Sequence, residues 1–348
     1  MTYKYPLLKI CLVILLTLGI NQGCDKVTPP VGVTRDAAQQ NFINMVAEKY
    51  QYPMVVRQVE NTLWIYLPIK TSLIEIKASK DGPSKSNQPS EKSSLKFMDT
   101  KYDGKNFSIE YDIEKSKNYA QSYGYSSTYA EEFQRMQSNI FAILQRAYFD
   151  VGLVPGDHPF LDSKQEKTHS DLVDAHLKTD QPPEFIVLVI TDIVNGLEII
   201  NTFNFDDFKR VRSNTPSLSQ SEYVNRNLSR VEGNREAIDD VEGKHLPFTA
   251  VTMGDFIAEQ ITHRVNFKYT SSSFPPGENA VEEIKISAAQ SIGAYKFPQF
   301  ESINITNLAD STNTSFTKEQ ILALPQAKEQ PEGKIHIINF LSPQNEDR

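Results

Sequence analysis

The sequence predicts an α+β fold in which amphipathic helices pack on mixed and antiparallel sheets with at least two β-hairpins. Three observations predict this class. Segments whose apolar residues recur every three or four positions alternate with short segments typical of strands. Asp103-Gly104 and Asn195-Gly196 each separate two strand-like segments, as hairpin turns do. The segment 185–190 is apolar at every position, which indicates a central strand covered on both faces.

The N-terminal segment has the pattern of an export signal. Two lysines precede an apolar run over 10–20, and Gly23 stands directly before Cys24. A basic region, an apolar stretch of about 7–15 residues and a small residue at the cleavage position are typical of secretory signals. A membrane-spanning helix needs about 20 apolar residues, more than this run provides. We therefore predict a signal peptide over 1–23, with an uncleaved signal anchor as the alternative.

This segment resembles the signals of bacterial lipoproteins, which end in a lipobox whose cysteine receives acyl chains. Gly23 and Cys24 match the end of that pattern. Asn21 and Gln22 depart from the aliphatic and the small residue that the pattern has at these positions. The resemblance covers only residues 1–24. It implies lipidation of Cys24, anchorage to a membrane by palmitate-like chains, and a location in the cell envelope outside the cytoplasm.

Cysteine usage agrees with this interpretation. The chain has two cysteines, Cys11 within the apolar run and Cys24 after it. Cleavage before Cys24 leaves one thiol and excludes an internal disulfide. A single leftover cysteine in an exported protein requires an explanation, and lipidation supplies one. The alternative is an incidental cysteine in a signal that is uncut or cut elsewhere.

The charge composition restricts the classes of partner. The chain has 36 basic and 44 acidic residues, a net charge of −8. Removal of 1–23, which contains Lys4, Lys9 and no acidic residue, changes this to −10. Such a surface repels nucleic-acid phosphates and acidic lipid headgroups. We therefore predict no nucleic-acid partner and membrane contact through the acyl anchor, with other envelope proteins as the remaining candidate partners.

The rest of the chain divides into a tether and folded segments. Residues 24–35 contain two prolines and a glycine without periodicity, as in a linker. An α+β domain follows over 36–215, with a polar loop at 79–94 that is predicted to be mobile. Residues 216–348 form a second α+β region of helix-then-strand units. One continuous domain over both regions is the alternative.

The elements of the first region follow from periodicity and capping residues. Helices are predicted over 36–50 and over 128–149, where Thr128 and Glu131 have the spacing of a capping box. Strands are predicted over 54–59 and 62–69. Within 62–69, Trp64 and Tyr66 alternate with aliphatic residues, which favours core packing over a binding surface.

The hairpin over 184–205 is the clearest sheet pattern. Asn195-Gly196 predicts a two-residue type I′ turn, because both central residues of that turn need positive φ. This register would place Asp192 opposite Ile199. Asp192 is then either a strand-end carboxylate that faces water or a buried acid with a functional role.

The second region contains three capping pairs and three predicted strands. The pairs are Ser219/Glu222, Thr252/Asp255 and Thr317/Gln320, and the strands are 264–270, 301–308 and 334–341. At the end of the first region, Asp206 and Asp207 stand where a helix start favours negative charge, and capping is their predicted role.

One segment contains side chains that suit a metal ion. His158, His169 and His176 lie close together among aspartates. Imidazole and carboxylate groups bind zinc, and three ligands could leave an open catalytic position. His169 and His176 are about two helical turns, or ~10 Å, apart, which is too far for one tetrahedral ion without a bend. A solvated connector is therefore the favoured interpretation, and we predict no structural zinc there.

The sequence contains no recognisable catalytic motif of serine hydrolases or zinc proteases. It also contains no motif of a nucleotide-binding loop or a dinucleotide-binding turn. We therefore favour a membrane-tethered envelope lipoprotein without enzymatic activity and without a cofactor, acting as a binding, scaffold or assembly component. Two alternatives stay open. One is an exported hydrolase, either with or without a metal, and the other is a signal-anchored envelope protein.

Overall fold

The computed structural model describes residues 35–78, 90–118, 125–148, 181–212, 216–271 and 279–324. Within these ranges the fold is α+β, as predicted, with seven α-helices and three sheets. The helices are α1 (Arg35–Tyr50), α2 (Glu131–Tyr148), α3 (Phe205–Arg212), α4 (Gln220–Arg226), α5 (Met253–Ser271), α6 (Ala280–Ala294) and α7 (Lys318–Leu322). The strands are β1 (Val55–Val59), β2 (Thr62–Ile69), β3 (Ile74–Ala78), β4 (Ser90–Tyr102), β5 (Asn106–Asn118), β6 (Tyr125–Tyr129), β7 (Phe185–Asp192), β8 (Leu197–Asn204), β9 (Leu228–Gly233), β10 (Ser302–Asn307) and β11 (Thr312–Thr317).

The five-stranded sheet, here called sheet I, has the order β1-β2-β7-β8-β9. The β2–β7 pair is parallel, and the other pairs are antiparallel. Strand β7 lies at the centre and is buried along its whole length, which confirms the prediction made from its continuous apolar sequence. Alternate side chains of β7 therefore enter two different cores, one on each face.

Helices α1 and α2 cover one face of sheet I. The main hydrophobic core joins Phe42 of α1 and Ile140 and Leu144 of α2. From the sheet, Ile65 of β2 and Leu188 of β7 enter the same core, and both side chains are fully buried. The apolar stripe of α2 therefore packs as its three-to-four spacing predicts.

The opposite face of sheet I is covered by an irregular segment, residues 234–252, which we call the strap. It contains only one short 3₁₀ turn and connects β9 to α5. Trp64 and Tyr66 of β2 lie beneath it in a second, smaller core, together with Leu246 of the strap. Both aromatic side chains are buried, so core packing is their observed role, as predicted.

The four-stranded sheet, here called sheet II, has the order β11-β10-β5-β4, and β3 pairs with β6 in a separate ribbon. Helices α5 and α6 contribute Ile257, Ile261 and Ile292 to the core on sheet II. The strand predicted over 264–270 is wrong, because these residues continue α5. Val265 extends the i, i+4 row of Ile257 and Ile261 and is fully buried in the same core, so helical packing decides the local structure.

Both large sheets combine strands from the two sides of residue 215. Strand β9 completes sheet I, whereas β5 pairs in parallel with β10 in sheet II. Each of these sheets therefore contains strands from both of the predicted regions, 36–215 and 216–348.

The hairpin β7–β8 is confirmed, but its predicted turn is wrong. Four residues, 193–196, form the turn, and Asp192 pairs with Leu197 and not with Ile199. Asp192 explains the difference, because its carboxylate accepts the backbone N–H groups of Val194 and Asn195 at 3.0 and 3.1 Å. These bonds stabilise a longer turn, in which only Gly196 has positive φ.

Two further predictions need correction, and others are confirmed. Thr128 does not cap α2, because it pairs with Glu75 in the β3–β6 ribbon and the helix begins at Glu131. Residues 90–94, assigned to the loop over 79–94, belong to β4, where pairing with β5 outweighs their polar composition. The hairpin at Asp103-Gly104 is confirmed as β4–β5. All three capping pairs of the second region are confirmed by hydrogen bonds at the starts of α4, α5 and α7.

Candidate functional site

A buried histidine joins the strap to sheet I. His245 Nε2 lies 2.8 Å from Glu198 Oε1, and His245 Nδ1 lies 2.5 Å from Asp240 Oδ2. Glu198, on β8, also accepts hydrogen bonds from Thr191 Oγ1 and Asn234 Nδ2, each at 3.0 Å. Only 3% of the His245 side chain and 2% of the Glu198 side chain are exposed. Water therefore cannot replace these bonds while the strap is in place.

The environment favours the charged form of His245. Burial alone lowers the pKa of the imidazole, but the hydrogen bonds and negative charges of Asp240 and Glu198 outweigh burial and raise the pKa above 6.5. For Asp240, burial raises the pKa, but the hydrogen bonds from His245 outweigh it and lower the pKa. An imidazolium has two N–H donors, one for each carboxylate. The geometry is therefore that of a doubly protonated ring between two acceptors.

The local backbone brings the strap close to Tyr66. Gly243 has φ +68°, and a Cβ at this position would lie 2.9 Å from the Tyr66 ring. The Tyr66 hydroxyl donates to the carbonyl oxygen of Asp240, and its ring meets the edge of His245 at 5.7 Å between centroids. Burial raises the pKa of Tyr66 to about 12, so this hydroxyl stays protonated and acts as a donor.

A second buried charged cluster joins α3, α4, α5 and the residue after α6. Arg226 Nη1 donates to Asp207 Oδ1 at 2.9 Å, and Arg226 Nε donates to Glu222 Oε1 at 2.8 Å. Arg264 Nη2 donates to the same Glu222 oxygen at 2.7 Å. The Tyr295 hydroxyl donates to Asp207, so each carboxylate has at least two donors in this cluster.

The charges of this cluster depend on one another. Burial lowers the pKa of Arg226, but the charge of Asp207 and the bond to Glu222 raise it above its ordinary value. Burial raises the pKa of Glu222, but the bonds and charges of Arg264 and Arg226 lower it below the usual range. Only 2% of the Arg226 side chain is exposed. Removing Arg226 would therefore leave the buried Asp207 carboxylate with only the longer cationic contact to Arg210, at 3.5 Å.

Both clusters use their polar atoms to connect elements of the fold. A general acid or base needs an atom within hydrogen-bond reach of a substrate. The two ring nitrogens of His245 are both bound to carboxylates, and only 3% of its side chain is exposed. Across the described ranges, no group of three or more His, Cys, Asp or Glu side chains is arranged to hold a metal ion. In the same part of the chain, no helix has the length and apolar character needed to cross a bilayer.

None of the candidate site residues named from the sequence belongs to the His245 cluster, and only Asp207 belongs to the Arg226 cluster. Cys24, His158, His169 and His176 lie outside the described residues, as do the signal over 1–23, nearly all of the tether over 24–35 and the strand predicted over 334–341. Asp192 is buried and caps the β7–β8 turn, so it does not face water. The capping role predicted for Asp206 and Asp207 is wrong, because the side chain of Asn204 accepts their backbone N–H groups at 3.0 and 3.2 Å. Asp206 is exposed in the first turn of α3, whereas Asp207 is buried against Arg226.

Sequence reasoning missed Glu198, Asp240, His245 and Arg226. A signal existed for Glu198, which is a single acidic residue between apolar neighbours in the hairpin strand LEIINTFN. Asp240 and His245 lie in a segment without periodicity, so no pattern connects them with Glu198. Arg226 is part of a polar helix end, where an exposed side chain is the usual expectation.

Comparison with protein-family models, with curated proteins and with solved structures finds no match for this chain.

Proposed function

We propose that this chain is a membrane-tethered envelope lipoprotein whose folded part acts by binding, as a scaffold or assembly component, without catalysis. The observation that carries this proposal is the N-terminal pattern, in which an apolar run over 10–20 leads to Gly23 and Cys24. Acyl chains on Cys24 would hold the protein at a bilayer, because each buried methylene contributes about 0.8 kcal/mol. Residues 25–34 would connect this anchor to α1.

The described residues support a binding role in preference to a catalytic one. His245 and Arg226 direct their donors to carboxylates within the fold, and both side chains are almost completely buried. The net charge of −8 for the full chain disfavours nucleic acids as partners. Other envelope proteins are therefore the partner class that we propose.

Replacement of Cys24 with serine tests the anchor. We expect the wild-type protein to enter the detergent-rich phase and to stay with membranes in high salt, because ions do not screen an apolar anchor. Cys24→Ser should keep residues 1–23, since the peptidase of the lipoprotein class acts on the lipid-modified cysteine. Detergent phase partitioning and the intact mass of both proteins measure this. The matched control is Cys11→Ser, which should behave as the wild-type protein does.

Two results would contradict this proposal. A wild-type protein that partitions into the aqueous phase and begins after Cys24 would indicate an ordinary secretory signal. If wild type and Cys24→Ser behave identically and both retain residues 1–23, the chain is instead a signal-anchored protein.

The metal-dependent form of the exported-hydrolase alternative depends on the histidines at positions 158, 169 and 176. We expect purified protein to contain no stoichiometric zinc, because His169 and His176 are too widely spaced for a closed site and the segment has no thiolate. Metal analysis of wild type, His158→Ala and His169→Ala measures this directly. Stoichiometric zinc that is lost in His169→Ala would favour the metal-dependent hydrolase.

A further inference from the structure

The strap over 234–252 is an unusual cover for a buried sheet face. Loops longer than about 12–15 residues without regular structure are uncommon in compact domains and are often functional lids. The strap packs Leu246, Phe248 and Val251 on the face of sheet I that carries Trp64 and Tyr66. A helix in this place would satisfy its own backbone hydrogen bonds, whereas several backbone groups of the strap bond instead to sheet I or to the β7–β8 turn.

Hydrogen bonds join the strap to sheet I and to the β7–β8 turn near both of its ends and at several points between them. Asp239 N–H donates to the Ile193 carbonyl at 2.9 Å, near the β7–β8 turn. At the other end, Val251 N–H donates to Thr62 Oγ1 at 2.8 Å. Between them, Trp64 Nε1 donates to the strap carbonyl of Thr249 at 2.8 Å.

The closed strap also contains strained backbone. Asp239 has φ +60° and Phe248 has φ +42°. Positive φ is unfavourable for residues with a side chain, and it is rare for a bulky residue such as phenylalanine. Such strain persists only where surrounding contacts maintain it. The closed conformation therefore depends on its tertiary contacts with sheet I.

His245 is a strap residue whose ring contacts sheet I and whose type of side chain titrates near neutral pH. The charged groups that face its ring are Glu198 from β8 and Asp240 from the strap, and Tyr66 from β2 meets it as a protonated phenol. The adjacent Lys244 points to solvent and pairs with Glu242 at 2.8 Å. Both acceptors of the imidazole are thus carboxylates, one on each side of the contact between strap and sheet.

We propose that the strap is a pH-dependent cover of sheet I, which His245 latches in its doubly protonated form and releases when the ring loses one proton. A neutral imidazole has one N–H donor and one lone pair. After deprotonation, either Glu198 or Asp240 would face that lone pair at hydrogen-bond distance, and the contact would become repulsive. The strap can relieve this repulsion by moving away from the sheet.

Strap opening is linked to proton release from His245, and this linkage sets the direction of its pH dependence. The closed form raises the pKa of His245, whereas an exposed ring in the open form has the ordinary value of about 6.5. Below that value both forms are protonated and opening is independent of pH. Between the two pKa values opening releases a proton, so the opening constant increases about tenfold per pH unit. Above the pKa of the closed form the dependence ends.

Hydrogen exchange of the full-length protein measures strap opening. The amides of Asp239 and Val251 report on the two ends of the strap, and the amide of Leu308, bonded to the Tyr111 carbonyl in sheet II, is the internal reference. Rates are compared from pH about 5.5 to about 9, a range that includes the ordinary histidine pKa. After correction for intrinsic exchange, we expect strap opening to increase with pH while the reference stays constant.

Tryptophan fluorescence provides a second readout. Trp64 is the only tryptophan of the chain and lies under the strap with 7% exposure. Quenching by acrylamide should therefore increase over the same pH range in which the strap amides exchange faster.

Substitutions of two histidines distinguish the titration of His245 from that of other groups. His245→Gln should exchange quickly at the strap with no pH dependence, because the titrating group is absent. His263→Gln is the matched control and should keep the wild-type dependence, since His263 lies on α5 and its pKa is lowered by burial. Corrected exchange that is flat in wild type, or equal pH dependence in wild type and His245→Gln, would overturn the proposal. If His245→Gln does not fold, Glu198→Gln replaces it and should move the transition to lower pH.

Discussion

Replacement of Arg226 with methionine should lower the free energy of unfolding by about 3 kcal/mol or more. The guanidinium is buried and donates to Asp207 and Glu222. Methionine fills part of the volume of the arginine side chain. It leaves the carboxylate of Asp207 without the closest of its cationic partners. Breaking a buried ion pair by removing one partner costs about 3–5 kcal/mol, since an uncompensated charge is left in the interior.

The matched control is Arg230→Met. Arg230 pairs with Glu232 at 2.8 Å, but half of its side chain is exposed. Exposed ion pairs contribute about 0–1 kcal/mol, so this variant should stay close to wild type. Denaturant unfolding of both variants gives the comparison. Equal effects of the two substitutions would show that the cluster around Arg226 does not stabilise the fold.

Replacement of Gly196 with valine should be similarly destabilising, by about 3 kcal/mol or more, because it combines backbone strain with a steric clash. Gly196 has φ +66°, and a Cβ there would lie 2.4 Å from the carbonyl oxygen of Asn234. A β-branched residue is strained in this backbone conformation, and relief of the clash requires movement of the strap or the turn. Asn234 N–H also donates to the Gly196 carbonyl at 2.6 Å, so the same movement breaks that bond.

Gly233→Val is the control for this substitution. Gly233 pairs with Leu197 of β8, at the same end of the hairpin. A Cβ at position 233 would have no atom within 4 Å, and the φ of this residue is not positive. The strand position accommodates valine, so the free energy of unfolding should change by no more than about 0.5 kcal/mol. Thermal and denaturant unfolding should separate the two variants, and a stable Gly196→Val protein would contradict the turn geometry described above.

The periodic parts of the fold could be predicted from the sequence because local pattern and tertiary packing agree there. Strand β7 is apolar at successive positions and is buried on both faces. Helix α1 begins within one residue of its predicted start, and its apolar positions Phe42 and Val46 enter the main core. The caps at Ser219 and Thr317 were also readable, since a capping hydrogen bond depends only on residues within one turn.

Other parts could not be predicted because specific side-chain contacts decide them. The β7–β8 turn depends on the side chain of Asp192, which outweighs the preference of Asn195-Gly196 for a shorter turn. The strand-like composition of 264–270 is overridden by packing of α5 on sheet II. The strap and its contact between His245 and Glu198 join positions that are far apart in the chain, and no local pattern connects such positions.

The mass of the N-terminal peptide from membrane-extracted protein tests the central proposal most directly. We expect a peptide that begins at Cys24 and carries at least two acyl chains, because stable anchoring takes more than one chain. A peptide that contains residues 1–23, or one in which Cys24 is absent or carries no lipid, would contradict the assignment of this chain as an envelope lipoprotein.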